Sequence, residues 1–231
     1  MCGILAIISS SLSDAELRKN LIECSAKLRH RGPDWSGYMV IPKDSAADRP
    51  LCHGIAHERL AIMDPESGEQ PFVSRDGRLI LAVNGEIYNF KELYDHCLSI
   101  PYTKMTGSDC EVILPLYAEY GPTVEMIRHF RGMFSFVLYD KQQDSFLIVR
   151  DHMGKTPLYI GWANDGSIYV ASEMKALVGS CTTFQNFPPG HLMVTKGERA
   201  NEFIRWYTPS WGVNPETKPL PSEKYQPVRE L

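Results

Sequence analysis

Met1-Cys2-Gly3-Ile4-Leu5-Ala6-Ile7-Ile8 opens the chain with a thiol directly behind the initiator methionine and an unbroken apolar run behind the thiol. A methionine followed by so small a side chain can be removed, which would leave a nucleophile and a free α-amine on one residue. A thiol is a weak nucleophile until it loses its proton. Reference pKa values of roughly 8.5 for Cys and roughly 7.7–8.0 for an α-amine favour that transfer near neutrality without a histidine. Taken alone, Cys2 reads first as a small residue at the head of a buried strand, since free Cys is among the most buried types. The rest of the sequence has to decide between the two.

The run over 3–8 is one of seven segments with strand character. The others cover 54–58, 79–83, 133–139, 145–149, 158–162 and 168–171; most are short, rich in Val, Ile, Phe and Tyr, and bounded by Gly, Asp or Asn. Residues 140–144 read as a hairpin turn between two of them. Helices are fewer. Ser13 and Glu16 have capping-box spacing, and Leu17, Leu21, Cys24 and Leu28 recur at the helical period, which predicts an amphipathic helix over 14–29. Ser108 and Glu111 repeat the signature before Ile113, Leu116, Tyr117 and Tyr120, and Pro115 inside that helix is expected to kink it. A third helix is predicted over 123–129. Many strands and two long helices argue for sheets packed with helices, an α+β or layered fold.

With 231 residues, 43% apolar, and a net charge of −4 without a basic run, the chain suits a soluble domain, and nothing favours a nucleic-acid partner. No apolar stretch approaches the roughly 20 residues of a membrane span, and no basic segment precedes the first apolar run; a cytoplasmic location is expected. Six cysteines without a Cys-x-x-Cys pair predict reduced thiols. Cys52, His53 and His57 could suggest a metal site. No second ligand pair follows at zinc-like spacing, however, and the segment reads as a strand turning its polar residues away from the core, so no metal is expected. From about residue 208, Pro209, Pro215, Pro219, Pro221 and Pro227 punctuate a polar stretch of linker composition.

Three further segments stand out: Arg29-His30-Arg31-Gly32-Pro33-Asp34-Trp35-Ser36-Gly37, Asn84-Gly85-Glu86-Ile87-Tyr88-Asn89, and Gly107-Ser108-Asp109-Cys110-Glu111. Each has an ordinary local reading. Asn-Gly between strand-like runs signals a tight hairpin, Gly-Pro-Asp breaks a loop, and Ser-Asp starts a helix.

Together with Cys2-Gly3-Ile4 and His57-Glu58-Arg59-Leu60, these motifs resemble, in order, the glutaminase domain of glutamine-dependent asparagine synthetases. Arg150-Asp151-His152 with Gly154 and Pro157-Leu158-Tyr159, then Ala171-Ser172-Glu173-Met174-Lys175-Ala176-Leu177, extend the resemblance over about 2–207. It implies an N-terminal-nucleophile amidotransferase fold, two antiparallel sheets sandwiched between helical layers. It also implies glutamine hydrolysis, with Cys2 attacking the side-chain amide, ammonia released, and a glutamyl thioester left for water. The oxyanion would be held by the Asn84 side chain and the Gly85 N–H. Arg59 would bind the substrate carboxylate, Asp109 and Glu86 its ammonium, and Leu60, Ala61, Ile62 and Met63 would line the pocket, mostly through backbone. Arg31 would order the loop over the site.

The resemblance further implies no cofactor for this domain, and a C-terminal synthetase domain that receives ammonia through a channel and uses ATP and Mg to activate aspartate. The Ser-Gly-Gly phosphate loop of that domain does not occur in these 231 residues. Residues 208–231 are expected to lead toward it, and the full-length enzyme to form a homodimer. Phosphoribosylpyrophosphate and hexose-phosphate amidotransferases share the N-terminal Cys-Gly-Ile and an Arg-Gly loop and are the nearest enzymatic alternative. A non-catalytic glutamine-binding module is the alternative from another class.

Overall fold

The computed structural model describes residues 1–42, 51–99 and 101–209. Its strands form two antiparallel sheets. The first contains β1 (Gly3–Ser10), β2 (Trp35–Ile41), β3 (Cys52–Arg59), β8 (Tyr159–Trp162), β9 (Ile168–Ala171) and β10 (Thr183–Asn186), in the order β10-β8-β9-β1-β3-β2. The second contains β4 (Phe72–Val73), β5 (Leu79–Ile87), β6 (Gly132–Asp140), β7 (Ser145–Arg150), β11 (His191–Val194) and β12 (Ile204–Arg205), in the order β12-β11-β7-β6-β5-β4.

The period of two along each strand sorts side chains into layers. Ile4, Ala6 and Ile8 of β1, Ile55 of β3, Ile80 and Ala82 of β5, and Val137 and Tyr139 of β6 pack in the core between the sheets. Leu5 and Ile7 point the other way, onto Leu17, Leu21, Cys24 and Leu28 of α1 (Asp14–Ala26) and the turn behind it. Leu81, Val83, Phe134 and Phe136 face outward from the second sheet onto α2 (Phe90–His96), α3 (Ile113–Tyr120) and α4 (Val124–Arg128). The result is four layers, helix-sheet-sheet-helix. None of the described helices is long and apolar enough to cross a membrane.

All seven expected strands are present, and 140–144 is the turn between β6 and β7. The reciprocal capping box of Ser13 and Glu16 starts α1. Strands β2, β4, β10, β11 and β12 escaped the sequence reading because they are short, half-exposed or, in β10, exposed along their whole length. α2 escaped because a seven-residue helix with one buried residue, Leu93, shows no period.

The second expected helix is corrected in two respects. The chain forms a 3₁₀ turn over Asp109–Val112 and restarts as α3, so Pro115 falls in the first turn of a helix, where N–H groups lack an intrahelical acceptor, and no kink is needed. Ser108 does cap Cys110 N, but the Glu111 carboxylate turns back to Met105 N at 2.7 Å and Thr106 N at 2.6 Å instead of closing a capping box. The linker expected beyond 208 lies, from residue 210 on, outside the described residues.

A third correction concerns β3, whose eight residues are all buried. It pairs with β1 on one edge and β2 on the other, so its polar residues cannot reach solvent and face interior partners. Glu58 points toward α1 and accepts from Ser25 Oγ at 2.6 Å, Arg29 Nη1 at 3.0 Å, Tyr38 at 3.1 Å and the Ser36 hydroxyl. His57, wholly buried, points between the sheets, where Nε2 lies 3.0 Å from the Val83 carbonyl of β5. A carbonyl only accepts, so Nε2 carries a proton and donates it to Val83.

Burial, with a further contribution from Arg59, lowers the His57 pKa from 6.5 to about 4 against the opposing bond to Val83. An unfolded histidine takes up its proton near 6.5 and the folded one only near 4. This contribution is therefore full above pH 6.5 and is lost as pH falls to 4, by about 3 kcal/mol. Urea unfolding at both pH values should show wild type losing about that much more than His57→Gln; equal losses would mean that the folded protein protonates His57 readily.

Candidate active site

Because Cys2 shares the parity of Ile4 and Ala6, its side chain faces the gap between the sheets, at the open end of their common core. Asn84 shares the parity of Ile80 and Ala82 and faces the same gap from β5. The two meet in a pocket lined also by Arg59, Leu60, Ile62, Met63, Gln70, Gly85, Glu86, Asp109 and Cys110. Its space, open mouth included, is about 550 Å³.

The backbone of Leu60 brackets the Cys2 thiol: its N–H donates to Cys2 Sγ at 3.4 Å, and its carbonyl lies 3.7 Å from the same sulfur. Burial raises the thiol pKa, opposed by the Leu60 backbone, the N-terminal charge, Arg59 and Arg31. Cys110, the second thiol on the wall, is raised well above normal by its complete burial and by the Asp109 carboxylate, so it is the poorer nucleophile. Arg31 does more than order a loop. Its Nε donates to the Cys2 carbonyl at 2.9 Å and its Nη1 to Glu173 at 2.8 Å. Burial would raise the Glu173 carboxyl, but hydrogen bonds from Arg31, His30 and Lys175 outweigh it and hold it at about 2. Met1 is 43% exposed at the pocket, and the nitrogen of Cys2 lies in the Met1–Cys2 peptide.

Asn84-Gly85 is not the hairpin its composition suggests but lies inside β5, paired with Ser135 and Phe134 of β6. The Phe134 carbonyl is taken by Asp151 N at 2.7 Å. Two residues to either side of Gly85, Val83 N donates to Gln70 Oε1 and Ile87 N to Asp109 Oδ2, both away from β6. The period of two therefore turns the Gly85 N–H to that same edge, toward the pocket. A Cβ on Gly85 would lie 2.1 Å from the Met133 carbonyl, so only glycine lets β5 and β6 run together here. The Asn84 side chain is fully buried, and neither its nitrogen nor its oxygen has a protein partner.

Arg59 is 6% exposed and donates to the carbonyls of Met63, Asp64 and Pro65, yet among the described residues it forms no ion pair. Asp109, also 6% exposed, accepts from Ile87 N at 2.6 Å and likewise has no cation partner. Unpaired buried charges are costly unless a ligand completes them. One cation and one carboxylate on the same small pocket match the zwitterion of a free α-amino acid. Glu86 adds a second carboxylate to the wall, and Ile62 and Met63 form its exposed rim. Ala61 stands apart: its N–H donates to Asp34 Oδ2 at 2.8 Å and it does not line the pocket.

Gln70 has no sequence signal, standing in a loop without a motif, whereas Cys110 lies inside one of the quoted motifs. The motif at Arg150 serves structure, since its guanidinium is buried against the carbonyls of Thr156 and Phe187. Cys52, His53 and His57 diverge, to the Ser10 and Leu12 carbonyls, to Ser9 N and Asp144, and to Val83 respectively. No cluster of three or more potential metal ligands occurs among the described residues.

The chain is 46% identical over 229 residues to a glutamine-hydrolysing asparagine synthetase of Sandersonia aurantiaca, a match covering 99% of this chain and 40% of that protein. It is also 46% identical over 228 residues to asparagine synthetase 2 of Arabidopsis thaliana, covering 99% and 36%. The chain thus spans about two-fifths of the length of these relatives. Among solved structures, the glutamine phosphoribosylpyrophosphate amidotransferase of B. subtilis superposes with a TM-score of 0.67 at 22% identity, over 90% of this chain and 50% of that one. An allosteric regulatory enzyme of purine biosynthesis superposes with a TM-score of 0.70 at 20% identity, over the same shares. Both share the fold, that of the N-terminal-nucleophile amidotransferases. A family model described as glutamine amidotransferase domain matches residues 1–201, and the chain belongs to that family.

Proposed function

We propose that residues 2–207 hydrolyse glutamine to glutamate and ammonia through Cys2, as the nitrogen-supplying half of an asparagine synthetase. The observation that carries this reading is the buried pair of uncompensated charges, Arg59 and Asp109, flanking the pocket that holds Cys2 and the unpartnered Asn84. Arg59 takes the α-carboxylate, and Asp109 with Glu86 the α-ammonium, so only the side chain of the amino acid is left to reach the sulfur.

Once Met1 is removed, the Cys2 amine accepts the thiol proton. The thiolate attacks the amide carbon, the C=O electron pair moves onto oxygen, and the Asn84 amide and Gly85 N–H hold that oxyanion. As the carbonyl re-forms, the C–N bond breaks, and the ammonium of Cys2 protonates the leaving group to ammonia. Water then adds to the thioester carbon, giving glutamate and the free thiol. No metal or cofactor enters these steps. In the longer relatives' arrangement, ammonia would pass through a channel to a synthetase domain that uses ATP and Mg to activate aspartate, in an enzyme that forms a homodimer.

Cys2→Ala should abolish glutamate release while leaving the fold intact, and an uncleaved N-terminal tag should do the same by keeping the Cys2 nitrogen in a peptide bond. Intact-mass measurement beside a glutamate assay checks both; an active tagged protein would remove the amine from the mechanism.

Asn84→Ala should lower kcat by about 10²–10³ with little change in KM, as expected for one oxyanion donor. Arg59→Lys, which keeps the charge but loses the planar fork, and Asp109→Asn, which keeps an acceptor for Ile87 N, should instead raise KM by roughly 10–100-fold, the worth of a charge-assisted hydrogen bond. Steady-state kinetics with the two patterns exchanged would reverse these assignments.

The 231-residue chain should release glutamate without ATP and form no asparagine when given ATP, Mg and aspartate. Asparagine formation would reveal an acceptor site within it. Absence of hydrolysis from protein lacking Met1 would instead favour a glutamine-binding module.

A further inference from the structure

The outer edge of β5 beside the site is held by side chains instead of a strand. β4 pairs with β5 only at Phe72↔Leu81 and Val73↔Ile80. Continuing that register would set Pro71 opposite Ala82 and Gln70 opposite Val83, but proline has no N–H to extend the ladder. The side chain of Gln70 takes over: its Oε1 accepts the Val83 N–H at 2.8 Å. From the facing sheet, His57 Nε2 donates to the Val83 carbonyl at 3.0 Å. Both polar groups of Val83 on this edge are thus satisfied by side chains, and its carbonyl belongs to the peptide unit that leads into Asn84.

Both side chains are themselves fixed. His57 is wholly buried and Gln70 is 9% exposed. The backbone of Gln70 lies so close to β2 that a Cβ on Gly37 would come within 1.8 Å of the Gln70 carbonyl. Hydrogen-bond chemistry leaves each one role here: an N–H can only be met by Oε1 of the amide, and a carbonyl only by the protonated ring nitrogen.

We propose that His57 and Gln70 are positioning residues of the oxyanion hole. By clamping Val83 from two sides, they set the height of β5 relative to Cys2, and so aim the Asn84 amide and the Gly85 N–H at the developing oxyanion. Neither need touch glutamine's α-substituents, so the clamp acts on the rate of the chemical step and not on binding. The inference rests on the glutaminase reading, because it assigns these two residues a part in that reaction.

The experiment compares variants that lose the hydrogen bond with variants that keep it, in glutamate-release kinetics on the 231-residue chain with Met1 removed. His57→Met and Gln70→Met should each lower kcat by about 10²-fold, the typical cost of misplacing a reacting group by about 1 Å, and leave KM for glutamine within about twofold. His57→Gln, whose amide reaches Val83 as a donor, and Gln70→Glu, which keeps the acceptor, should recover to within about tenfold of wild type. The double Met variant should lose little more than either single one, because both hold one residue, Val83, through its N–H and its carbonyl.

The inference is overturned if the Met variants melt like wild type and keep its kcat, if KM rises while kcat holds, or if the Gln and Glu variants are as impaired as the Met ones. Should His57→Met not fold, His57→Asn, whose amide falls short of Val83, replaces it against His57→Gln. A wild-type chain without glutaminase activity would overturn the function itself, whereas an active wild type with indifferent variants would overturn only the clamp.

Discussion

Face-to-face packing of the two sheets is the constraint on which the remainder of the structure depends. The apolar side chains of β1, β3, β5 and β6 interdigitate between the sheets, and a strand that slipped by one residue would turn every one of them outward. The parity that buries Ile4, Ala6, Ile80 and Ala82 is therefore the parity that brings Cys2 and Asn84 toward each other. Where the apolar residues run out at the end of that layer, the same pleat continues with a thiol, an amide, a guanidinium and a histidine. The candidate site is the last polar course of the core, and its geometry inherits the rigidity of the packing behind it.

That continuity explains how the protein sustains groups that would otherwise be costly. A buried guanidinium and carboxylate without counter-ions, and a buried amide without partners, each work against folding. The two large apolar layers that cover the outer faces, one under α1 and one under α2 to α4, stabilise the sheets enough to hold them. Arg59 is anchored through the carbonyls of 63–65 and Asp109 through Ile87 N, so each is oriented before a ligand arrives. The amino-acid ligand proposed above would gain the charge pairing without the protein having to reorganise, which is the advantage of preorganised electrostatics.

Loops complete what the sheets begin. Arg31 reaches from the turn after α1 to the Cys2 carbonyl and, through Glu173, to the segment following β9, so three distant parts of the chain converge on the first residues of β1. Leu60 and Gln70 bound one connection, between β3 and β4, yet one brackets the sulfur and the other braces the opposite strand. Cys2 and the Asn84-Gly85 segment are thus linked by a loop as well as by the core.

Much of this was legible in the residues. The alternation and apolar runs of seven strands and the capping box before α1 specify local conformation, and the motifs around Cys2, Arg59, Asn84 and Asp109 specify chemical type; both are carried by neighbours in sequence. What only the tertiary structure decided depends on neighbours in space. The Asn84-Gly85 pair, locally a turn signal, is held inside a strand because nine residues of β6 pair along it. Glu111, locally a cap, finds better donors in Met105 and Thr106. His57, expected to face away from the core, is buried because β3 is covered on both edges and both faces. Gln70 carries no local signature at all, since its role exists only where the β4 ladder ends beside Val83. Short-range hydrogen bonding and hydrophobic period are written residue by residue, whereas the partner of a buried polar group is set by which strands the fold brings side by side.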